Sequence, residues 1–330
     1  MNLGHALRIG ATVVVAAVSA VAAAGAATPG PPVPGGKIAY MSMRDGQADI
    51  FSMDADGTSQ FNITQDGSID VRTDVEPAWS PDGKLVAFER QYTQPRRGAT
   101  LMIVKADGTK LRTLLPPAMR EGSRSSQPSW SPDGRAVVFT SNRDGNFDLY
   151  VIKSNGQGLR QLTFTNNSVR NFEPQWSPDG RTILFSRSGQ SATAVPQAHL
   201  FVLRLGSSAV VQLTRSPADR GAGDQSPAWS PNGTRIAFTS DRMGSNDVYV
   251  MRSDGSKLQR LTMNNSNDNH PTWASDGYKL AFLSDRTGST EIFTFSAATQ
   301  EPTQLTFDKA LKSDPTWQRI PNSSASGLAG

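Results

Sequence analysis

The sequence predicts an all-β fold: a six-bladed β-propeller of four-stranded antiparallel blades, with the N- and C-terminal strands sharing one blade. Three observations carry this. All six Trp sit in the tripeptide Pro-x-Trp, ending at Trp79, Trp130, Trp176, Trp229, Trp273 and Trp317, at spacings of 51, 46, 53, 44 and 44 residues. A period in the forties marks propeller blades or helical arrays. Five copies run on into a variant of Ser-Pro-Asp-Gly, and the two ends of the chain carry complementary pieces of one copy.

Each copy reads as strands, in order. The turns are 80–83, 131–134, 177–180, 230–233 (with Asn232) and 274–277 (Ala-Ser-Asp-Gly). Pro presets φ and Gly accepts positive φ, which makes a tight turn after the Trp strand. An apolar run follows each turn and brings Phe88, Phe139, Phe185, Phe238 or Phe282 to one register, as a packed strand requires. A polar stretch with Arg comes next, such as 141–145. A third strand follows, for example 50–53, 149–152 and 248–251, and ends in Asp56-Gly57, Asp107-Gly108, Asn155-Gly156 or Asp254-Gly255. Such pairs are strong hairpin signals. A fourth strand closes on Ile63-Thr64, Leu162-Thr163, Leu213-Thr214, Leu261-Thr262 or Leu305-Thr306. No stretch shows a 3.6-residue period, so the helical-array reading fails.

The ends set the blade count. The sixth Pro-x-Trp has no turn or second strand after it, whereas 34–40 reads as a turn plus second strand without a first. Pairing the two completes a blade and removes an exposed edge. The organisation expected is signal peptide 1–27, Pro/Gly linker 28–36, propeller 37–320 and flexible tail 321–330. The signal reading rests on Arg8, the apolar run 9–24 and the small residues at 24–27. That run is 16 residues, short of the ~20 needed to span a bilayer. The expectation is a periplasmic or secreted protein with no membrane span after signal cleavage.

Composition excludes several classes. There is no Cys, hence no disulfide and no thiolate metal site. The formal net charge of +4, falling to +3 without Arg8, is too weak over this length to argue for nucleic acid.

The repeat resembles that of the TolB-like β-propeller family. The copy from 227 to 262 carries the resemblance most fully: Trp229-Ser230-Pro231-Asn232-Gly233, Ser240-Asp241-Arg242-Met243-Gly244, Asp247-Val248-Tyr249-Val250-Met251 and Asp254-Gly255. It extends over about 37–318. The resemblance implies a periplasmic role beside an outer-membrane lipoprotein. It also implies a separate α/β domain ahead of the propeller, for which no residues stand between linker and first strand. The expectation is therefore a TolB-like propeller without that domain. Two copies depart from the pattern through longer loops at 89–100 and 186–199. There the acidic residue found at Asp49, Asp148, Asp247 and Glu291 becomes Thr100 and His199.

In a four-stranded blade the first strand lines the central channel. Just before each Pro-x-Trp stand Glu76, Gln127, Glu173, Ser226, His270 and Asp314; two positions earlier stand Asp74, Ser125, Asn171, Asp224, Asp268 and Lys312. These twelve positions are expected to converge on one channel mouth. The candidate binding residues are Asp74, Glu76, Arg124, Asn171, Glu173, Asp224, Asp268, His270 and Asp314. One Arg per blade (Arg44, Arg90, Arg143, Arg187, Arg242, Arg286) faces the same side. These Arg either grip a ligand or staple the ring, and their regular repetition favours staples. The Trp and Phe registers read as core, with Tyr92 as an exposed contact.

Two functions compete. The first is a monomeric, non-enzymatic binding module for a protein or peptide of the cell envelope or outside the cell, engaged at the channel-mouth face. The alternative is a hydrolase or lyase acting on a small molecule or saccharide through channel-mouth carboxylates. His199 and His270 lie in different blades, and there is no Gly-x-Ser-x-Gly elbow, so no catalytic residue is assigned. No cofactor is expected. Ca²⁺ held by Asp74, Glu76, Asp224 and Asp268 is the one metal reading, because hard cations take oxygen ligands.

Overall fold

The structure, a computed structural model, describes residues 35–65, 72–92, 98–115, 122–166, 168–189, 197–215 and 223–319. The signal peptide, most of the linker, the tail and the middle of both longer loops lie outside these residues. Among the described residues every regular element is a β-strand, and the strands form six four-stranded antiparallel sheets.

Blade 1 joins the chain ends. Its inner strand, Lys312–Trp317, pairs with Lys37–Ser42, with Ile38 opposite Trp317 and Ser42 opposite Lys312. Asp49–Asp54 and Phe61–Asn62 complete it. The inner strands of blades 2 to 6 are Arg72–Trp79, Ser125–Trp130, Val169–Trp176, Asp224–Trp229 and Asp268–Trp273. The clasp expected from the sequence is therefore present. Gln318 reinforces it by donating its N–H to Lys37 O at 2.8 Å.

The repeated residues form repeated contacts. In the Ser-Pro-Asp-Gly turn, Ser131 Oγ donates to Asp133 and accepts the N–H of Ala136, while the N–H of Arg135 also reaches Asp133. Gly134 has φ 69°, which a side chain would resist. The indole N–H of Trp130 reaches Ala78 O in blade 2, and that of Trp273 reaches Ala228 O in blade 5. Each links one blade to the one before it. Phe139 stacks on Tyr150 and Phe282 on Phe293, with ring centroids about 6 Å apart.

The Leu-Thr pairs lie immediately past the outer strands rather than within them. Their Thr hydroxyls seal the blade edge: Thr163 Oγ1 accepts the N–H of Leu149 and donates to Asp148, and Thr306 does the same for Ile292 and Glu291. Blade 2 has Leu114-Leu115 at this position, and its acidic partner is likewise replaced, by Thr100.

Candidate functional site: the ring around the axis

Every inner strand carries a register shift at its Pro, between Val75 and Ala78 in blade 2 and between Asn269 and Thr272 in blade 6. The residue before that Pro takes left-handed backbone: Glu76, Gln127, Glu173, Ser226, His270 and Asp314 all have φ between 51° and 57°. Such a conformation costs a non-Gly residue about 1–2 kcal/mol. Right-handed helical geometry is disfavoured before Pro as well. The bulge directs all six side chains into one cavity of about 110 Å³ on the ring axis, walled by the adjoining Pro77, Pro128, Pro271 and Pro315 and by Gln175.

Half of the ring is linked in series. Glu76 Oε2 accepts the N–H of Gln127 at 2.7 Å, and Gln127 Oε1 accepts that of Glu173 at 2.9 Å. Glu173 Oε2 then accepts the N–H of Ser226 at 2.6 Å. Ser226 is too short to continue, so the N–H of His270 turns to Thr239 Oγ1. His270 Nε2 stands 3.3 Å from Asp314 Oδ1, and its Nδ1 meets Asn269 Oδ1 at 3.0 Å. Ser226 donates its hydroxyl to Glu173. Ser226, His270 and Asp314 therefore do not form a nucleophilic triad, which needs the imidazole beside the hydroxyl.

Glu76 has an acidic neighbour. Burial first, then the charge of Glu89 and a hydrogen bond with its carboxyl, push the Glu76 carboxyl well above its ordinary range, and Asp314 adds to this. Two crowded carboxyls disfavour the ionised form, and burial adds to that at Glu76. Arg124 Nη2 approaches Glu89 Oε1 at 3.1 Å from outside. The repeat alone does not mark Glu89. The signal available was its register, one past the recurring Phe (Tyr40 in blade 1), where other blades have Met41, Thr140, Ser186, Thr239 and Leu283. Ser186 and Thr239 at that register also face the ring, bonding Glu173 and the N–H of His270.

The expectation that twelve positions converge needs correction: the cavity takes the six residues before Pro, and the row two positions earlier is buried behind it. Asp74, Asn171, Asp224 and Asp268 are 0% exposed. Each faces an Arg: Asp74 with Arg90 Nε at 2.7 Å and also with Arg72, Asn171 with Arg187 at 2.7 Å, Asp224 with Arg242 at 2.5 Å, Asp268 with Arg286 at 3.0 Å. The bulge explains this: alternation alone would put residues two apart on one face, and the register shift breaks it, so that only the pre-Pro side chain turns toward the axis. The Arg row is thus a belt of staples, whose guanidiniums also lie over the aromatic pairs, as Arg286 does over Phe293 at 4.8 Å. In blade 1 the belt is reversed in charge: Lys312 is buried and meets Glu291 at 3.0 Å, while Arg44 turns to Asp308. Of the residues named from the sequence, Glu76, Glu173, His270 and Asp314 line the cavity, and Arg124 sits beside it through Glu89. Three of the four carboxylates offered for Ca²⁺ (Asp74, Asp224, Asp268) are already engaged by Arg. Among the described residues no three His, Cys, Asp or Glu are grouped to hold a metal ion.

A closed ring of six four-stranded blades around a polar axial cavity defines a six-bladed β-propeller, a fold that hosts many functions. Residues 75–224 and 198–323 match the TolB beta propeller domain, and the chain belongs to that family. It is 30% identical over 217 residues to a Protein TolB homolog of Chlorobium luteolum, covering 66% of this chain and 34% of that protein. It is 27% identical over 225 residues to the Uncharacterized peptidase YuxL of Bacillus subtilis, covering 57% of this chain and 34% of that protein. The chain thus spans about a third of the length of these curated relatives. The crystal structure of TolB from Acinetobacter baumannii superposes with a TM-score of 0.69 at 18% identity, over 86% of this chain and 67% of that one. At that identity the likeness speaks for the fold.

Proposed function

We propose that this chain is an extracytoplasmic, non-enzymatic binding module that takes a protein or peptide segment at the axial cavity. The carrying observation is the ring itself: six side chains from six blades meet in one cavity, with Glu76, Glu173 and Asp314 on its wall and neither Lys nor Arg among its lining residues. A group with positive charge on an extended segment, a Lys or Arg side chain or a chain terminus, matches this wall. The extracytoplasmic placement draws on the N-terminal run 9–24 and on the TolB homologues. No helix among the described residues is long and apolar enough to cross a membrane. The test is binding of the mature protein to an arrayed peptide library by fluorescence anisotropy, with Glu173→Gln as control. Selection of basic peptides, weakened about tenfold in the variant, supports the reading; no selection at all defeats it.

A second reading is a hydrolase or lyase using ring carboxyls. The Glu76–Glu89 pair favours it, since two neighbouring carboxyls, one of them raised by burial and by the other's charge, are a source of acid–base chemistry. Turnover of an oligosaccharide or peptide panel, abolished by Glu76→Gln, would establish it in place of the first.

A further inference from the structure

The seam between blades 6 and 1 sets His270 at 3.3 Å from Asp314 on the partly exposed cavity wall. The seam between blades 4 and 5 is different. Where blades 1, 3, 5 and 6 begin a strand with Asp49, Asp148, Asp247 and Glu291, blade 4 has His199 within Ala198–Arg204. Across the seam stands Asp224, fully buried, with its Oδ2 at 3.8 Å from His199 Nδ1. Both atoms are buried and neither has a hydrogen-bond partner among the described residues. Two orphaned buried polar atoms facing one another are costly, and one proton placed between them satisfies both.

We propose that this seam is a protonation-dependent clamp, closed when His199 carries a proton on Nδ1 and donates it to Asp224 Oδ2. Imidazole is the side chain that ordinarily changes charge between pH 5 and 8. The charged groups around the ring are accounted for. Asp224 and Arg242 come from blade 5, and Arg242 binds the other carboxylate oxygen at 2.5 Å. Arg187, the cross-strand partner of His199, comes from blade 4 and is turned to Asn171. Asp241 accepts the N–H of Gly223. Arg242 already balances Asp224, so protonation adds one charge-assisted bond rather than a bare ion pair. A neutral ring with hydrogen on Nδ1 makes the weaker form of that bond. The same seam carries the Glu173–Ser226 contact at the axis, so the clamp stiffens one wall of the cavity.

The sign is set by linkage. A clamp that favours the protonated ring in the folded state stabilises the protein at the acidic end and is lost as pH rises. Urea unfolding of the wild type, His199→Gln and His270→Gln at pH 5.5 and pH 8 tests it. The expected result is a folded-to-unfolded ratio that falls with pH in the wild type. About tenfold of that fall, what one charge-assisted hydrogen bond supplies, is missing in His199→Gln and retained in His270→Gln. A pH response in His199→Gln equal to that of the wild type overturns the proposal. If that variant does not fold, ¹⁵N NMR of the wild-type imidazole decides: a His199 ring that keeps both nitrogens protonated at pH 8, where an ordinary imidazole is neutral, supports the clamp, and a ring already neutral there overturns it.

Discussion

Trp317 donates its indole N–H to the carbonyl of Gly35 at 2.6 Å, across 282 positions of chain. The bond lies at the point where the ring closes, beside the pairing of Ile38 with Trp317. Closure is what gives blade 1 its fourth, inner strand.

Trp317→Ala is therefore expected to destabilise the protein by about 3–5 kcal/mol, the usual cost of removing a buried large aromatic. Truncation after residue 311 removes the whole inner strand of blade 1, and a soluble oligomer or an insoluble product is expected. Urea unfolding followed by Trp fluorescence and size-exclusion chromatography check these outcomes. A truncated chain that stays monomeric with unchanged stability would show that the clasp is dispensable.

Glu76 carries a raised carboxyl in the folded state, from burial and the neighbouring Glu89. A raised carboxyl favours the folded protein while it is protonated. Its contribution is complete below the ordinary Glu value of about 4.3 and is lost as pH climbs through the raised range. Glu76→Gln should flatten the part of the stability profile above the ordinary Glu value over which the wild type loses this contribution. The variant should be at least as stable as wild type at pH 8. Unfolding midpoints of the two proteins over this interval are the measurement.

Asp268 is 0% exposed and bonded through both oxygens to Arg286 at 3.0 Å. Removing one partner strands the other charge in the interior. Arg286→Met is expected to cost about 3–5 kcal/mol, whereas replacing both (Asp268→Leu with Arg286→Met) should recover much of that loss. A double-mutant cycle on urea midpoints separates the pair from the stacking of Arg286 over Phe282 and Phe293.

In the turn of blade 3, the Ser131 hydroxyl and the N–H of Arg135 hold the Asp133 carboxyl below its ordinary range. A depressed carboxyl stabilises the fold above its unfolded value, and the effect fades as pH falls through the folded one. Asp133 is exposed, so water screens most of it. Asp133→Ala should cost under about 1 kcal/mol at pH 7 and nearly nothing at pH 2.5, as read by thermal melts at the two pH values.

The repeat was legible because each of its marks is a local necessity. Trp79 and its five counterparts recur because every blade meets its neighbour in the same way, Gly134 is required by the turn's positive φ, and Phe139 fills a fixed register. The site was legible only in part. Glu76, Glu173, His270 and Asp314 sit on the wall as their place before Pro suggested. Asp74, Asn171, Asp224 and Asp268, two residues away, went to the buried belt instead. The bulge that separates the two rows is a backbone event that no residue type announces.

Strand order and six blades were determined by the sequence by itself, because turns and apolar alternation act between neighbours along the chain, and the joining of the two ends was readable from the complementary pieces of one repeat that they carry. Which carboxylates meet Arg and which meet each other was decided only in three dimensions. Glu76 and Glu89 lie on adjacent strands at a spacing set by a register shift, and Glu76 meets Gln127 across a blade boundary. Charge energies depend on separation and burial, and both are properties of the closed ring rather than of the chain.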